Sequence, residues 1–306
     1  MPATSAPLHC LVAATHTPFH ADGSLNLAMA EKQAAHLINN QVSHLFINGS
    51  TGESSSLTVD ERLTMAARWF EVAKGTGLKL IVHVGANCVA DSKVLAAQAE
   101  KLGAAAISAV SPSYFKPRSV EMLVACAAEI AAAAPSTPYY HYDIPALTGI
   151  QLPLAEFLKQ APAKIPTLRG MKFTNPDLMA YQFCLRVDDG AWDLPWGVDE
   201  HMLGALAMGA KGAVGSGFNF AAPIYRRLME AFAAGDFATA REEQFRGVRL
   251  IQLFASLGYM AATKAAMKML GVDVGQPRLP NNDLSAQETA KLQGTLESMG
   301  FFEWVR

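Results

Sequence analysis

The sequence predicts an α/β protein: a closed (β/α)8 barrel, the TIM barrel, with a C-terminal helical extension. Three observations point there. Between residues 8 and 233, eight short apolar runs alternate with eight amphipathic segments. Several of the runs are apolar on both faces, as strands are when helices surround a parallel sheet. Past about residue 236 the alternation stops and only helical patterning remains. A barrel of this kind takes about 250 residues, which eight such units match. The competing architecture is an open doubly wound sheet. Against it, no G-x-G-x-x-G follows the first run, and the alternation persists without a break.

The strands are expected at 8–14, 44–48, 78–84, 105–110, 139–142, 168–173, 194–198 and 213–216. The helices between them are expected at 27–38, 59–73, 92–102, 120–133, 154–160, 177–187, 200–208 and 222–233. Thr58-Val59-Asp60-Glu61 is a capping box that opens the second helix. Three further helices are expected at 237–257, 259–270 and 286–299, the last opened by a second capping box, Ser285-Ala286-Gln287-Glu288. Residues 271–282, with Pro277 and Pro280, read as a connecting loop. Residues 1–235 are thus expected to form the catalytic barrel, with 236–306 packed on it as an extension. Apolar faces on extra helices suggest subunit contacts.

Composition narrows the function. The chain has 306 residues, 51% of them hydrophobic and 17% charged, an ordinary globular balance. Its net charge of −2, with no long run of either sign, gives no footprint for nucleic acid or an anionic membrane. A small molecule fits better as the partner. Cys10, Cys88, Cys126 and Cys184 lack C-x-x-C spacing, so neither a disulfide framework nor a zinc site is expected. Reduced thiols suit a cytoplasmic protein. The stretch 1–7 has neither a basic region nor an apolar one, so no signal peptide is expected. The Ala-rich stretch 124–134 is too short to span a bilayer.

In a barrel the active site lies at the C-terminal ends of the strands. Reactive side chains recur there. The most informative is Lys172, near the end of Leu168-Arg169-Gly170-Met171-Lys172-Phe173-Thr174. An ammonium at the end of a buried strand is costly to desolvate and tends to lose its proton. A neutral lysine attacks carbonyls. The alternative is a lysine that simply reaches solvent. Gly49-Ser50-Thr51-Gly52 is a small-residue turn after the second strand. Its backbone amides and two hydroxyls could cradle a carboxylate, or it could be an ordinary Gly-rich loop. It is not a phosphate P-loop, since G-x-x-x-x-G-K-[ST] is missing. Tyr142, one strand from Lys172, could shuttle a proton or merely pack, as Tyr139 and Tyr140 are expected to do. Asp199 and Glu200 could bind substrate hydroxyls, ligate a metal with His83, His141 or His201, or begin a solvated helix. No H-x-x-x-H spacing supports the metal. His16, His36 and His44 read as structural or surface residues.

Three ordered motifs carry a resemblance. Gly49-Ser50-Thr51-Gly52-Glu53, Tyr142-x-Ile144-Pro145-Ala146-Leu147-Thr148-Gly149 and Gly170-Met171-Lys172-Phe173-Thr174 resemble those of the N-acetylneuraminate lyase and dihydrodipicolinate synthase superfamily. These are pyruvate-dependent class I aldolases on (β/α)8 barrels, commonly homotetramers. The resemblance runs from about residue 11 to residue 280. It implies that Lys172 forms a Schiff base with a 2-oxo acid and that Tyr142 relays the aldol proton. It implies that Ser50 and Thr51, with the backbone at Gly49, hold the pyruvate carboxylate, and that Thr174 supports the imine. Tyr114 matches a tyrosine that reaches into a neighbouring subunit's site. No metal or organic cofactor is implied. Leu147 stands where the synthases carry an arginine for a second carboxylate. Gly197, Asp199, Glu200 and Ser216 resemble positions that bind the polyol tail in sialic acid lyases. The continuation Ser216-Gly217-Phe218-Asn219 departs from the usual Ser-Thr-Tyr-Asn. The expected reaction is therefore aldol cleavage of N-acetylneuraminate. A 2-keto-3-deoxy sugar acid or 4-hydroxy-2-oxoglutarate is the alternative substrate.

Overall fold

A computed structural model describes residues 6–306, so the reading of the N-terminus as lacking a leader falls mostly outside the described residues. The described residues form seven regular strands: β1 (Leu11–Ala14), β2 (His44–Ile47), β3 (Lys79–His83), β4 (Ala106–Ala109), β5 (Tyr139–Asp143), β6 (Leu168–Phe173) and β7 (Ala213–Gly215). All pair in parallel, in the order β6-β5-β4-β3-β2-β1-β7.

The strand expected at 194–198 is not a regular strand. The segment around Trp196 still fills its place between β6 and β7, joined by single bridges, Phe173 to Trp196 and Trp196 to Ala213. The Met171 and Phe173 amides donate to the Asp193 and Pro195 carbonyls, both at 3.0 Å, and the Val214 amide donates to the Trp196 carbonyl at 2.8 Å. Pro195 is the physical reason for the irregularity. It has no N–H to give, so the ladder is interrupted while the curve of the sheet still closes.

Side chains alternate across the wall, as the pleat requires. Val12, Ala14, Phe46, Ile81, Ala106, Tyr140, Tyr142 and Val214 form the inner cluster. Ala13, Leu45, Ile47, Leu80, Val82, Ile107, Met171 and Phe173 face the surrounding helices. Each large side chain buried in this way, such as Trp69 or Phe157, contributes about 1.5–3 kcal/mol. At the N-terminal end the barrel is tied shut by Asp193, whose Oδ2 accepts from the Tyr140 hydroxyl and the Leu8 amide, both at 2.7 Å.

The helices begin where their caps are. Both capping boxes form, with the Thr58 side chain accepting from the Glu61 amide and Ser285 from Glu288. Ser119 and Asp177 cap the helices Val120–Ala131 and Leu178–Leu185. Observed ends lie within a few residues of the expected ones. Short elements without periodicity, such as Pro145–Thr148 and the 3-10 turn Ser54–Ser56, were not foreseeable from pattern. The extension consists of helices Phe237–Ser256, Tyr259–Met269, Ala286–Met299 and Phe301–Trp304. Among the described residues no helix is long and apolar enough to cross a membrane.

Candidate active site

The C-terminal strand ends open into a cavity of about 1000 Å³. Of the residues singled out from sequence, Ser50, Thr51, Tyr142, Lys172, Thr174, Gly197, Asp199, Glu200 and Ser216 line it. The volume is at the upper end for small-molecule sites.

Lys172 does not reach bulk solvent; it is 5% exposed. β5 and β6 place it directly opposite Tyr142 in register. Its Nζ lies 3.9 Å from the centre of the Tyr142 ring and 4.3 Å from that of Phe46. Among the described residues no carboxylate forms an ion pair with it. The amine is thus held between two aromatic faces and aimed into the cavity.

The Tyr142 ring is fixed edge-on against Phe46 and His83, with centroids 5.6 and 5.8 Å away. Its hydroxyl is 3.4 Å from Ser50 Oγ, which links the phenol to the Gly49-Ser50-Thr51-Gly52 turn. His83 is kept neutral: burial and the nearby Arg62 push its pKa well down. Arg62 itself is buried, donating to the carbonyls of His83 (2.8 Å) and Gly85 (3.0 Å), and so pins the end of β3.

The turn after β2 begins at Asn48 and ends at Glu53, both in the left-handed region (φ 57° and 55°). The Glu53 and Ser54 amides donate back to the Ser50 and Gly49 carbonyls at 3.0 and 3.2 Å. Gly49 packs on Phe46, since a Cβ there would come within 2.6 Å of the ring. Gly49 is thus packed against Phe46 and is not itself among the residues lining the cavity.

Thr174 follows Lys172 by two residues. Its Oγ1 is buried with no protein partner, although its amide donates to the Asp143 carbonyl at 2.9 Å. Gly197 is required opposite it, because a Cβ at 197 would overlap Thr174 Oγ1 and come within 2.9 Å of Thr174 Cβ.

Asp199 is not at a solvated helix start. It is buried, and its Oδ2 accepts from the Gly217 amide at 2.7 Å. Glycine at 215 and 217 makes room for that carboxylate. Burial raises its pKa to about 7, opposed by the Gly217 N–H. The unfolded carboxyl titrates near 3.8, so its burial costs nothing below that pH and costs fully above about 7. Asp199→Asn removes this component. The variant should therefore gain thermal stability relative to the parent as pH rises through that window. Melting curves between the two limits check it; a difference independent of pH would show that Asp199 is not a costly buried anion.

Glu200 is half-buried on the same wall and His201 is exposed. Among the described residues no group of His, Cys, Asp or Glu is arranged to hold a metal ion. Phe218 is buried against Tyr225, with centroids 5.0 Å apart, so the departure at 217–218 alters the packing behind the site and not its lining. Tyr114 lies outside the cavity, 79% exposed and edge-on to the equally open Phe115.

Sequence reasoning missed several contributors. Phe46 supplies one wall for the amine. Tyr259, from the extension, sets its hydroxyl 2.7 Å from Ser216 Oγ. Gln244 accepts from the Leu203 amide at 2.7 Å and donates to the Asp199 carbonyl at 3.2 Å. Ile251, Ala255 and Met260 also line the cavity, so the helices past residue 236 complete its far side. No motif marks these residues; only the packing brings them in.

Comparison with known proteins agrees with this geometry. The model of the Dihydrodipicolinate synthetase family matches residues 7–299. The N-acetylneuraminate lyase of Mus musculus is 38% identical over 298 residues, covering 96% of this chain and 93% of that one. Solved structures of the N-acetylneuraminate lyases from Proteus mirabilis and Aliivibrio salmonicida both superpose with a TM-score of 0.94, at 40% and 41% identity. Each covers 97% of this chain, and the chain covers 100% and 98% of theirs. With a buried lysine facing a tyrosine at the mouth of a parallel barrel, and a family match over nearly its whole length, this chain belongs to the dihydrodipicolinate synthetase family.

Proposed function

We propose that the protein is a Schiff-base aldolase that reversibly cleaves N-acetylneuraminate to N-acetylmannosamine and pyruvate. One observation carries the choice of substrate. Lys172 is the only lysine or arginine lining the cavity among the described residues, while Asp199, Glu200, Ser216 and Tyr259 crowd the opposite wall. Such a site has hydrogen-bond partners for a polyol and none of the cations that a second carboxylate needs. Leu147, 67% exposed at the rim, offers that carboxylate nothing. The dicarboxylate 4-hydroxy-2-oxoglutarate is disfavoured on this ground.

In the reaction, Lys172 attacks C2 of the open-chain sugar acid and water leaves, giving an iminium. Its nitrogen draws the electron pair of the C3–C4 bond as that bond breaks. Tyr142 takes the C4 hydroxyl proton, so the sugar departs as an aldehyde and an enamine remains. Protonation at C3 and hydrolysis then release pyruvate and the free amine. Ser50, Thr51 and the backbone amides of the turn orient the carboxylate. Thr174 Oγ1, left without a protein partner, is available beside the imine.

The exposed Tyr114 and Phe115 fit a subunit contact, and we place Tyr114 at a neighbour's site in a homotetramer of cytoplasmic location. Pyruvate release from N-acetylneuraminate, a 2-keto-3-deoxy sugar acid and 4-hydroxy-2-oxoglutarate tests the reading. The highest kcat/KM is expected with the first; a preference for the dicarboxylate would overturn it.

A further inference from the structure

Behind the carboxylate turn lies an ion pair that the mechanism does not use. Glu53 Oε1 is 2.6 Å from Lys264 Nζ, and each side chain is 1% exposed. Glu53 borders the cavity but its side chain is turned away from solvent, and Lys264 lies behind it. The pair has further ties. Lys264 also donates to the carbonyls of Thr17 (3.0 Å) and Gln276 (3.2 Å) and lies 4.3 Å from the centre of the Phe19 ring. Glu53 Oε2 accepts from the Arg278 amide at 2.8 Å. Thr17 closes the circuit, its hydroxyl donating to the Gly52 carbonyl at 2.6 Å.

A buried pair is weak evidence for stability, because apolar residues of similar volume commonly serve as well or better. Here its geometry suggests what else it does. Glu53 is the left-handed residue that ends the turn, so its anchored side chain leaves the backbone directly next to 49–52. Lys264 belongs to helix Tyr259–Met269, whose first residue bonds Ser216 on the hydroxyl-rich wall of the cavity. One rigid helix therefore touches the supports of both ends of the site.

We propose that Glu53 and Lys264 are positioning residues: through this pair the C-terminal extension holds the 49–52 turn in the geometry that binds the keto-acid carboxylate. The inference rests on the reading of that turn as the carboxylate site. The pair fixes the turn relative to Lys172, and Tyr259 fixes the hydroxyl-binding wall from the same helix. Its loss should weaken capture of the keto acid and leave the amine chemistry intact.

The test measures the pyruvate concentration that half-saturates borohydride trapping, in the full chain. The double variant Glu53→Gln with Lys264→Met leaves no unpaired buried charge. It should need about tenfold more pyruvate, equivalent to about 1.4 kcal/mol, yet reach the parent's full extent of trapping. A purely structural role predicts the reverse, a reduced extent with unchanged half-saturation, and that result overturns the proposal. If the double variant does not fold, Thr17→Val removes one tether of the same turn. It should raise the half-saturating concentration several-fold, and an unchanged value again overturns the proposal. A parent chain that traps no pyruvate refutes the reading of the site itself, and the proposal with it. A parent that traps, with variants that match it, refutes only the positioning role.

Discussion

Tyr142→Phe is expected to lower turnover by about 10²–10⁴-fold, the usual worth of a positioned proton carrier, while pyruvate still becomes trapped on Lys172. The substitution removes one oxygen and little else. The ring packs edge-on to Phe46 and His83 and lies beneath Lys172 Nζ, and phenylalanine keeps all three contacts. Among the described residues the one partner of the hydroxyl is Ser50 Oγ at 3.4 Å, a residue that keeps access to the cavity. The fold and the amine should therefore survive, and the loss should fall on kcat. Single-turnover kinetics beside borohydride trapping separate the two steps. Ordinary turnover in the variant would remove Tyr142 from proton transfer.

Lys172→Met should abolish turnover and at the same time leave the protein as stable as the parent or more so. An amine buried without a carboxylate partner is held at a desolvation cost. Its surroundings, the faces of Phe46 and Tyr142, suit a thioether well. A gain of about 0.5–2 kcal/mol is in the range seen when a functional residue is replaced by one that suits its pocket. Lys172→Arg should be equally inactive, because a guanidinium stays charged and does not condense with a ketone. Chemical denaturation of both variants beside an assay of pyruvate release checks the pair of outcomes. A large loss of stability in Lys172→Met would mean that the lysine is there to hold the barrel together.

The sequence was most legible where physics is local. Short apolar runs, several apolar on both faces, located the seven regular strands, and Thr58 and Ser285 marked two helix starts through caps that form as expected. The polar strand ends converge on one cavity because parallel strands in a closed barrel all point the same way. The segment 194–198 was harder: Leu194 and Trp196 alternate like a strand, but Pro195 denies it the ladder. Least legible was whatever depended on distant packing. Tyr259 lies 43 positions from the serine it bonds, and Lys264 is far along the chain from Glu53. Both sit in one helix, Tyr259–Met269, whose pattern reads only as amphipathic. For Asp199 the sequence leaves substrate binding, metal ligation and a solvated helix start open; only packing shows that Gly215 and Gly217 clear a buried place for it.

The most direct measurement is mass spectrometry of the protein after borohydride reduction in the presence of pyruvate. A single adduct of the mass of reduced pyruvate should appear on the peptide that carries Lys172, and none should appear in Lys172→Ala. An adduct on another lysine, or full trapping in the alanine variant, would contradict the assignment of the reactive amine and the chemistry built on it.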